Sequence, residues 1–352
     1  MIIKKKYLQS SIISENKSLN QVLITLQKSD LPDKKICLVT KKNKLVGVFT
    51  DGDMRRLLIK NVNRNEKLKK YLKKKFIFAY TNFNENKLKK IIKDKHIVGV
   101  PIIKKNRELV GLYTPKEDFY KRDNEVFIFA GGFGKRLFPL TDYNPKPMLS
   151  VGGRPLLESI IYSFKEFGFI NFTISVNYKA SKIIDYFKKG KEHNVAIKYL
   201  KEKNPLGTAG PLSNFKNKNK KTVIAINGDI YTRLDYRKLL NFHERGKYDF
   251  TICIKDYHQR IPYGVINSKK NKKKNIIDEK PVSHFFVNSG VFAFDPKVLK
   301  FLKKNQHLDM NNFINMLSKK GKKIGLFPLH EYWIDIGNYE NFEAAFNQLR
   351  ND

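Results

Sequence analysis

The chain has 352 residues, 41 % of them hydrophobic and 12 % aromatic, which exceeds what one core usually serves and excludes a disordered chain. Its formal net charge of +37 is nearly all lysine, spread from end to end. Without Arg-rich clusters or an aromatic-interleaved stripe, that charge argues against a nucleic-acid reader; a positive field would instead gather small anions. No apolar run approaches the roughly 20 residues of a membrane helix. The start, MIIKKKYLQSS, lacks an apolar signal region, so a cytoplasmic protein with no membrane association is expected. Cys37 and Cys253 lie in apolar, strand-like runs without metal-spaced partners and read as buried free thiols.

The first third contains a repeat. ICLVTKKNKLVGVFTDGDMRR, from Ile36, parallels VGVPIIKKNRELVGLYTPKEDF, from Val98, with Val46-Gly47 matching Val110-Gly111. In each copy two apolar strands flank a charged turn. A stretch with helical apolar spacing precedes each, LNQVLITLQKSD and ENKLKKIIKDK. One such unit is too small to bury a core, but two together suffice. The lysine-rich runs KKNK (41–44) and NKKKN (271–275) read as solvated loops between strands.

The arrangement resembles a tandem pair of CBS domains, a small α+β regulatory module, over residues 1–122, divided at about residue 60. That family contacts the ribose of an adenine nucleotide through the pattern G-h-x-[ST]-x-x-[DN]. Gly47, Thr50 and Asp53 match it. In the second copy Gly111 and Thr114 match, but Glu117 replaces the Asp or Asn. A Thr hydroxyl and a carboxylate one turn apart can share a ribose diol. The same residues would serve equally to cap the helix MRRLLIK, with Asp53 at the N-cap.

The polar segment YKRDNE (120–125) marks a boundary, and a second domain is expected over 123–352. VFIFA (126–130) reads as a strand, PLLESIIYSFKEFGF as an amphipathic helix, FTISV (172–176) as a strand and SKIIDYFKKG as a helix. VAIKYL (195–200) and TVIAIN (222–227) read as further strands. This alternation predicts an α/β fold with a mainly parallel sheet, whose ligands bind at the carboxyl ends of strands.

The glycine turn AGGFGKRLFPL (130–140) follows the first of these strands. It is not a Walker A loop, because Arg136 stands where Ser or Thr should follow Gly-Lys. It is not a dinucleotide fingerprint, because Leu137 takes the place of the third glycine. Lys135, Arg136 and then Lys146, in the proline-bracketed and hence extended NPKPM, nonetheless offer charge to phosphate oxygens beside open backbone amides.

The stretch AGGFGKRLFPLTDYNPKPMLSVGGRPLLE resembles the signature of sugar-1-phosphate nucleotidyltransferases. LGTAG (206–210), NGD (227–229), YGVI (263–266), DEKP (278–281), NSGVFAFD (288–295) and WIDIG (333–337) follow in family order. The resemblance implies a Rossmann-like nucleotide domain with an adjoining sugar pocket, and attack of a sugar phosphate on the α-phosphorus of a nucleoside triphosphate. It places Ala130, Gly131, Gly132, Gly134 and Lys135 around the nucleotide phosphates, and Leu206, Gly207 and Thr208 against the base. It puts Arg136 on the departing pyrophosphate, Lys146 at the α-phosphate and Lys280 on the sugar phosphate. Gly264, Glu279 and Asn288 would border the sugar. Asp229 and Asp335, each after an apolar run, would share one Mg²⁺. Trp333 reads as core packing beside Asp335.

LGTAGPL is most similar to guanylyltransferases of the mannose type, which favours GTP over UTP, dTTP or CTP. With the N-terminal pair, the chain resembles two-domain guanylyltransferases of bacterial legionaminic acid synthesis, which implies glucosamine 1-phosphate as acceptor. Mannose and heptose 1-phosphates remain alternatives, and so does a non-catalytic, nucleotide-sensing subunit. A homo-oligomer and an adenine or guanine nucleotide at the N-terminal pair are expected by the same resemblance.

Overall fold

The computed structural model describes residues 2–28, 36–73, 75–95, 97–114, 121–266 and 277–350. Glu117 and the run NKKKN (271–275) lie outside the described residues. The chain divides into two compact units, Met1–Asp118 and Phe119–Asp352.

The first unit realises the repeat as two copies of one topology. In the first copy the strand Ile12–Ser14 runs parallel to Ile36–Lys41, which forms a hairpin with Lys44–Thr50. In the second copy Ala79–Tyr80 runs parallel to Val100–Ile103, which pairs antiparallel with Leu109–Tyr113. The helices Leu19–Lys28 and Glu85–Lys95 connect the parallel strands. Both hairpins slip register by passing over equivalent residues, Val46 in the first copy and Val110 in the second. KKNK is a hairpin turn, with Lys42 and Asn43 at positive φ. Ile36, Leu38 and Leu45 of one copy share a core with Ile103, Leu109 and Leu112 of the other, so the apolar surface that neither copy could cover alone is buried between them. Cys37 is fully buried, which pushes its thiol up to about 12.

Thr50 and Asp53 take a different arrangement from the one expected. The helix runs Asp51–Ile59, so Thr50 rather than Asp53 is the N-cap, and Asp53 sits at the third helical position. The two close a capping box. The Asp53 amide donates to Thr50 Oγ1 (3.3 Å), and the Thr50 amide donates to Asp53 Oδ2 (3.0 Å). The Thr50 hydroxyl also donates to Asp53 Oδ2 (2.6 Å), while Arg56 and Lys73 hold Oδ1 at 2.5 and 3.1 Å. Burial would raise the Asp53 carboxyl, but the Thr50 and Lys73 contacts together outweigh it and hold the group below its usual range.

The second unit is built on one seven-stranded sheet. Its strands are β1 (Arg122–Phe129), β2 (Phe169–Val176), β3 (Ala196–Lys201), β4 (Val223–Asn227), β5 (Phe250–Arg260), β6 (Val282–Phe294) and β7 (Ile324–Leu329), in the order β3-β2-β1-β4-β6-β5-β7. Only β6 runs antiparallel to its neighbours, so the sheet is mainly parallel. β1 is buried on both faces, as a central parallel strand must be. Val126 and Ile128 pack under the helices Leu156–Lys165 and Tyr236–Gly246, while Phe127 packs on the opposite face toward Met310–Lys319.

β1 begins earlier than its apolar run suggests, inside the segment read as a boundary. Two polar side chains near its start, Asn124 and Glu125, are buried and satisfied. Asn124 Nδ2 donates to Thr222 O (2.8 Å), and Glu125 Oε1 accepts from Thr173 Oγ1 (2.6 Å) and Lys198 Nζ (3.2 Å). Neighbouring strands supply partners that local sequence does not reveal. The first helix stops at Lys165, and Phe169, expected at its end, already belongs to β2. Lys146 is not extended either. Pro145 is, but Lys146–Met148 makes one 3₁₀ turn that carries Lys146 inward.

The capping box is the most local of these features and the simplest to test. Thr50→Ala should cost the chain about 1 kcal/mol in urea unfolding, and Thr50→Ser should recover most of it.

Candidate active site

In the order β3-β2-β1-β4 the chain steps outward from β1 to β3 and then returns to β1's other side at β4. That reversal opens a crevice at the carboxyl ends of β1 and β4. The glycine turn leaves β1 there, and Asn227-Gly228-Asp229 leaves β4. The two loops are tied by the Gly228 amide, which donates to Phe129 O (2.8 Å). Gly134, at φ +65, brings the turn back against Lys146: a Cβ there would lie 2.8 Å from Thr141 Cγ2 and 3.2 Å from Lys146 Cβ. A Cβ on Gly132 would meet nothing within 4 Å, so that part of the cradle is open. Lys135 and Arg136 follow in a short 3₁₀ turn with exposed side chains.

Asp229 and Asp335 are far apart in sequence and adjacent in space. The short strand Trp333–Asp335 pairs antiparallel with Ile230–Thr232, setting Asp335 opposite Ile230, and the Ile336 amide donates to Asp229 O (3.0 Å). Trp333 packs on the core and fixes this strand by donating Nε1–H to Ser289 O (2.8 Å). Lys146 Nζ reaches Asp229 Oδ2 at 2.6 Å. Asp229 Oδ1 and Asp335 Oδ1 are buried with no hydrogen-bond partner. Burial, reinforced by the charge of Asp229, pushes the Asp335 carboxyl above its usual range, against the pull of Lys146 and Arg136. Arg136 faces the same spot: a Cβ on Gly337 would stand 3.2 Å from Asp335 Oδ1 and 3.6 Å from Arg136 Nη2. Two converging carboxylate oxygens without partners suit a hard divalent cation, which takes oxygen ligands and leaves the rest of its sphere to water and phosphate.

The loop Leu206-Gly207-Thr208 comes off β3 and docks on the helix Met310–Lys319. Thr208 Oγ1 accepts from the Met310 amide at 2.7 Å, so its hydroxyl anchors the loop. Glu202 was not singled out from the sequence, because a lone Glu in the stretch KYLKEKN looks like surface. In the structure it is half-buried at the end of β3. It accepts from Ser175 Oγ (2.6 Å) and from the Leu206 amide (3.2 Å), and a Cβ on Gly131 would lie 2.7 Å from its Oε1. Burial raises its carboxyl, and those two hydrogen bonds partly counter the rise. The only sequence signal was its place: the first acidic residue after a strand that ends at the crevice.

Gly264, Glu279 and Lys280 form a second group. The strands Val265–Ile266 and Ile277–Asp278 pair as a hairpin, and the Lys280 amide donates to Tyr263 O (3.2 Å). A Cβ on Gly264 would stand 3.2 Å from Glu279 Oε2, and Lys280 Nζ lies 3.7 Å from Glu279 Oε1. Both side chains are more than half exposed. Asn288 belongs to neither group: it donates to Asn311 Oδ1 (3.1 Å) and accepts from the Gly290 amide (3.0 Å).

Fold and crevice together define an α/β protein with a glycine cradle and a pair of buried carboxylates at the carboxyl ends of its parallel strands. Residues 125–352 match the family described as Nucleotidyl transferase, and the chain belongs to that family. Its members typically use a divalent metal. The chain is 30 % identical over 227 residues to the mannose-1-phosphate guanyltransferase of Aspergillus fumigatus, covering 62 % of each chain. It is 31 % identical over 225 residues to that of Pichia angusta, covering 61 % of each. It thus spans less than two thirds of the length of these relatives. Among solved structures, HddC from Yersinia pseudotuberculosis complexed with GMP-PN aligns at 26 % identity and a TM-score of 0.50, over 64 % of this chain and 99 % of that one. A putative glucose-1-phosphate thymidylyltransferase from Bacillus anthracis, in complex with sucrose, shares the fold at 22 % identity and a TM-score of 0.52, over 65 % of this chain and 96 % of that one. No described helix is long and apolar enough to cross a membrane.

The strained carboxylate pair gives a two-sided prediction. Asp335→Asn removes a charge that folding disfavours, so in EDTA at neutral pH the variant should melt at or above the wild-type temperature. It should also lose the rise in Tm that millimolar Mg²⁺ gives the wild type. The folded chain binds the Asp335 proton more tightly than the unfolded chain does. Its contribution to stability is therefore fullest at low pH and lost as pH rises, whereas the metal-induced rise fades as pH falls through the elevated carboxyl range. Thermal unfolding with and without Mg²⁺, followed from acidic to neutral pH, reads both trends.

Proposed function

We propose that the second unit transfers a nucleotidyl group, GMP from GTP, to a sugar 1-phosphate and releases pyrophosphate. The observation that carries this reading is the cluster of Lys146, Asp229, Asp335 and Arg136 at the mouth of the glycine cradle. A sugar phosphate oxygen attacks the α-phosphorus, the bond to the bridging oxygen of the β-phosphate breaks, and its electron pair leaves with pyrophosphate. Two polyanions must approach in line, so the demand is for neutralisation and positioning more than for proton transfer.

Each part of the cluster answers a part of that demand. The backbone of Ala130, Gly131, Gly132 and Gly134, with Lys135, receives the triphosphate. Arg136 neutralises the leaving pyrophosphate. Lys146 is already aimed by its ion pair with Asp229, so its ammonium needs little reorganisation to meet charge developing at the α-phosphate. Asp229 and Asp335 would hold Mg²⁺, which when bound supplies further charge neutralisation to the phosphate oxygens. Lys280 meets the incoming sugar phosphate, and Gly264 and Glu279 border the sugar.

Glu202 supports guanine. A carboxylate only accepts hydrogen bonds, and guanine presents adjacent N1–H and N2–H donors where uracil and thymine present one N–H. Its position over Gly131, with Leu206, Gly207 and Thr208 alongside, suits a base held between cradle and loop. The guanyltransferase relatives point the same way. Glucosamine 1-phosphate is the acceptor we favour, since Glu279 would pair with an ammonium group; mannose and heptose 1-phosphates are the alternatives. For the first unit we propose a CBS pair that binds an adenine or guanine nucleotide near Thr50 and Asp53, or mediates self-association.

The test is pyrophosphate release with Mg²⁺, each NTP in turn and a panel of sugar 1-phosphates. GTP should give release and EDTA should abolish it; silence with every pair would leave only a binding role. Lys146→Met should lower kcat by roughly 10²–10³ with little change in Tm. Glu202→Gln should cost about 10- to 100-fold in kcat/KM for GTP, the value of a hydrogen bond to a charged group, and should narrow the preference over UTP. Unchanged base preference in that variant would remove Glu202 from base recognition.

A further inference from the structure

We propose that Asp256, His258 and His284 form a second metal site, for a divalent transition-metal ion such as Zn²⁺, separate from the Asp229–Asp335 pair. The three residues lie on the arms of β5 and β6. Up to Lys255, β5 also pairs with β7; beyond that point the ladder continues between β5 and β6 as far as Arg260 and Val282. His258 and His284 are direct cross-strand partners, and Asp256 is two residues before His258, on the same face. His258 Nε2 lies 3.1 Å from Asp256 Oδ2, and His284 Nδ1 lies 3.7 Å from Asp256 Oδ1. One ligand atom from each residue fits within 4.8 Å of the other two.

Those separations are the right size. Bonds of about 2.0–2.2 Å in tetrahedral geometry put ligand atoms roughly 3.3–3.6 Å apart; each imidazole lies within a few tenths of an ångström of that range from one of the two Asp256 oxygens, so small side-chain rotations bring one oxygen and both rings onto a single ion. The set of two imidazoles and one carboxylate selects the metal class. Imidazole suits Zn²⁺, Cu²⁺ and Ni²⁺, whereas Mg²⁺ takes oxygen ligands, so the two sites discriminate by donor chemistry. Three protein ligands leave a fourth position for water. A ladder rather than a loop also holds the ligands: the His pair is fixed by strand register, and about half of each imidazole is open to solvent for metal entry.

The site's place gives it a consequence. Beyond the His pair the same ladder passes through the Ile261 amide, which donates to Pro281 O (3.0 Å), into the hairpin of Gly264, Glu279 and Lys280. An ion bridging His258 and His284 would cross-link the two arms at the root of that hairpin.

Zn²⁺ titration of the full chain against a chromophoric chelator, in millimolar Mg²⁺, tests the site. The wild type should take up one tightly bound Zn²⁺, and Asp229→Asn should take it up equally. His258→Asn and His284→Asn should each weaken binding by more than the ~10- to 100-fold that loss of an outer-shell partner costs. Both side chains are exposed, so circular dichroism should show the variants folded. Failure of the wild type to bind Zn²⁺, or wild-type affinity in the double variant, would overturn the proposal. So would loss of binding in Asp229→Asn, which would put the ion at the carboxylate pair.

Discussion

The second unit is organised around two carboxylates that repel each other. Asp229 leaves β4 and Asp335 ends a short strand, and the pairing of Ile230 with Asp335 forces them together. Folding gains nothing from this by itself, since burial and like charge both raise the Asp335 carboxyl. What offsets the repulsion in the free protein is Lys146, whose ammonium is carried inward by the 3₁₀ turn after Pro145. The positive charge that balances the pair is thus supplied by the chain itself. Much else serves this arrangement. Gly134 lets the cradle fold back on Lys146, and Trp333 holds the Asp335 strand through Ser289.

Most of the sheet was legible because strands buried on both faces read as continuous apolar runs, and VFIFA, FTISV and TVIAIN are of that kind. Legibility failed where tertiary partners replace local pattern. Asn124 and Glu125 look like linker, yet β2, β3 and the approach to β4 satisfy them. The antiparallel insertion of β6 is a topological fact with no local signature. At the capping box the residues were evident but their register was not, since TDGD offers a side-chain acceptor at three of its four positions, Thr50, Asp51 and Asp53, and only backbone geometry picks Thr50.

The candidate site divides along the same line. Asp229, Asp335, Lys146 and Arg136 were found through motif order, and the fold brings them together. Glu202 escaped because nothing in a lysine-rich stretch distinguishes a half-buried carboxylate from a solvated one. The cross-strand pair of His258 and His284 escaped for a different reason: twenty-odd residues of sequence separate partners that β-register makes neighbours. Spacing rules for metal ligands detect ligands that lie close along the chain and miss those supplied by two strands.

The two halves of the site differ in how much of their recognition is built in advance. The cradle side is held by the sheet: its loops are cross-tied by backbone hydrogen bonds, Thr208 is anchored on a helix, and Glu202 is fixed by Ser175 and Leu206. On the proposed reading, binding a nucleotide there would cost little ordering, and discrimination between bases would rest on groups already in place. On the side proposed for the sugar, Glu279 and Lys280 stand exposed beside a two-residue strand pair at the end of two long arms, and solvent screens their mutual attraction. Charges in that setting gain strength only when a ligand displaces the water around them. On the proposed reading, acceptor selectivity would therefore depend on how firmly the arms hold this strand pair as well as on the charges themselves.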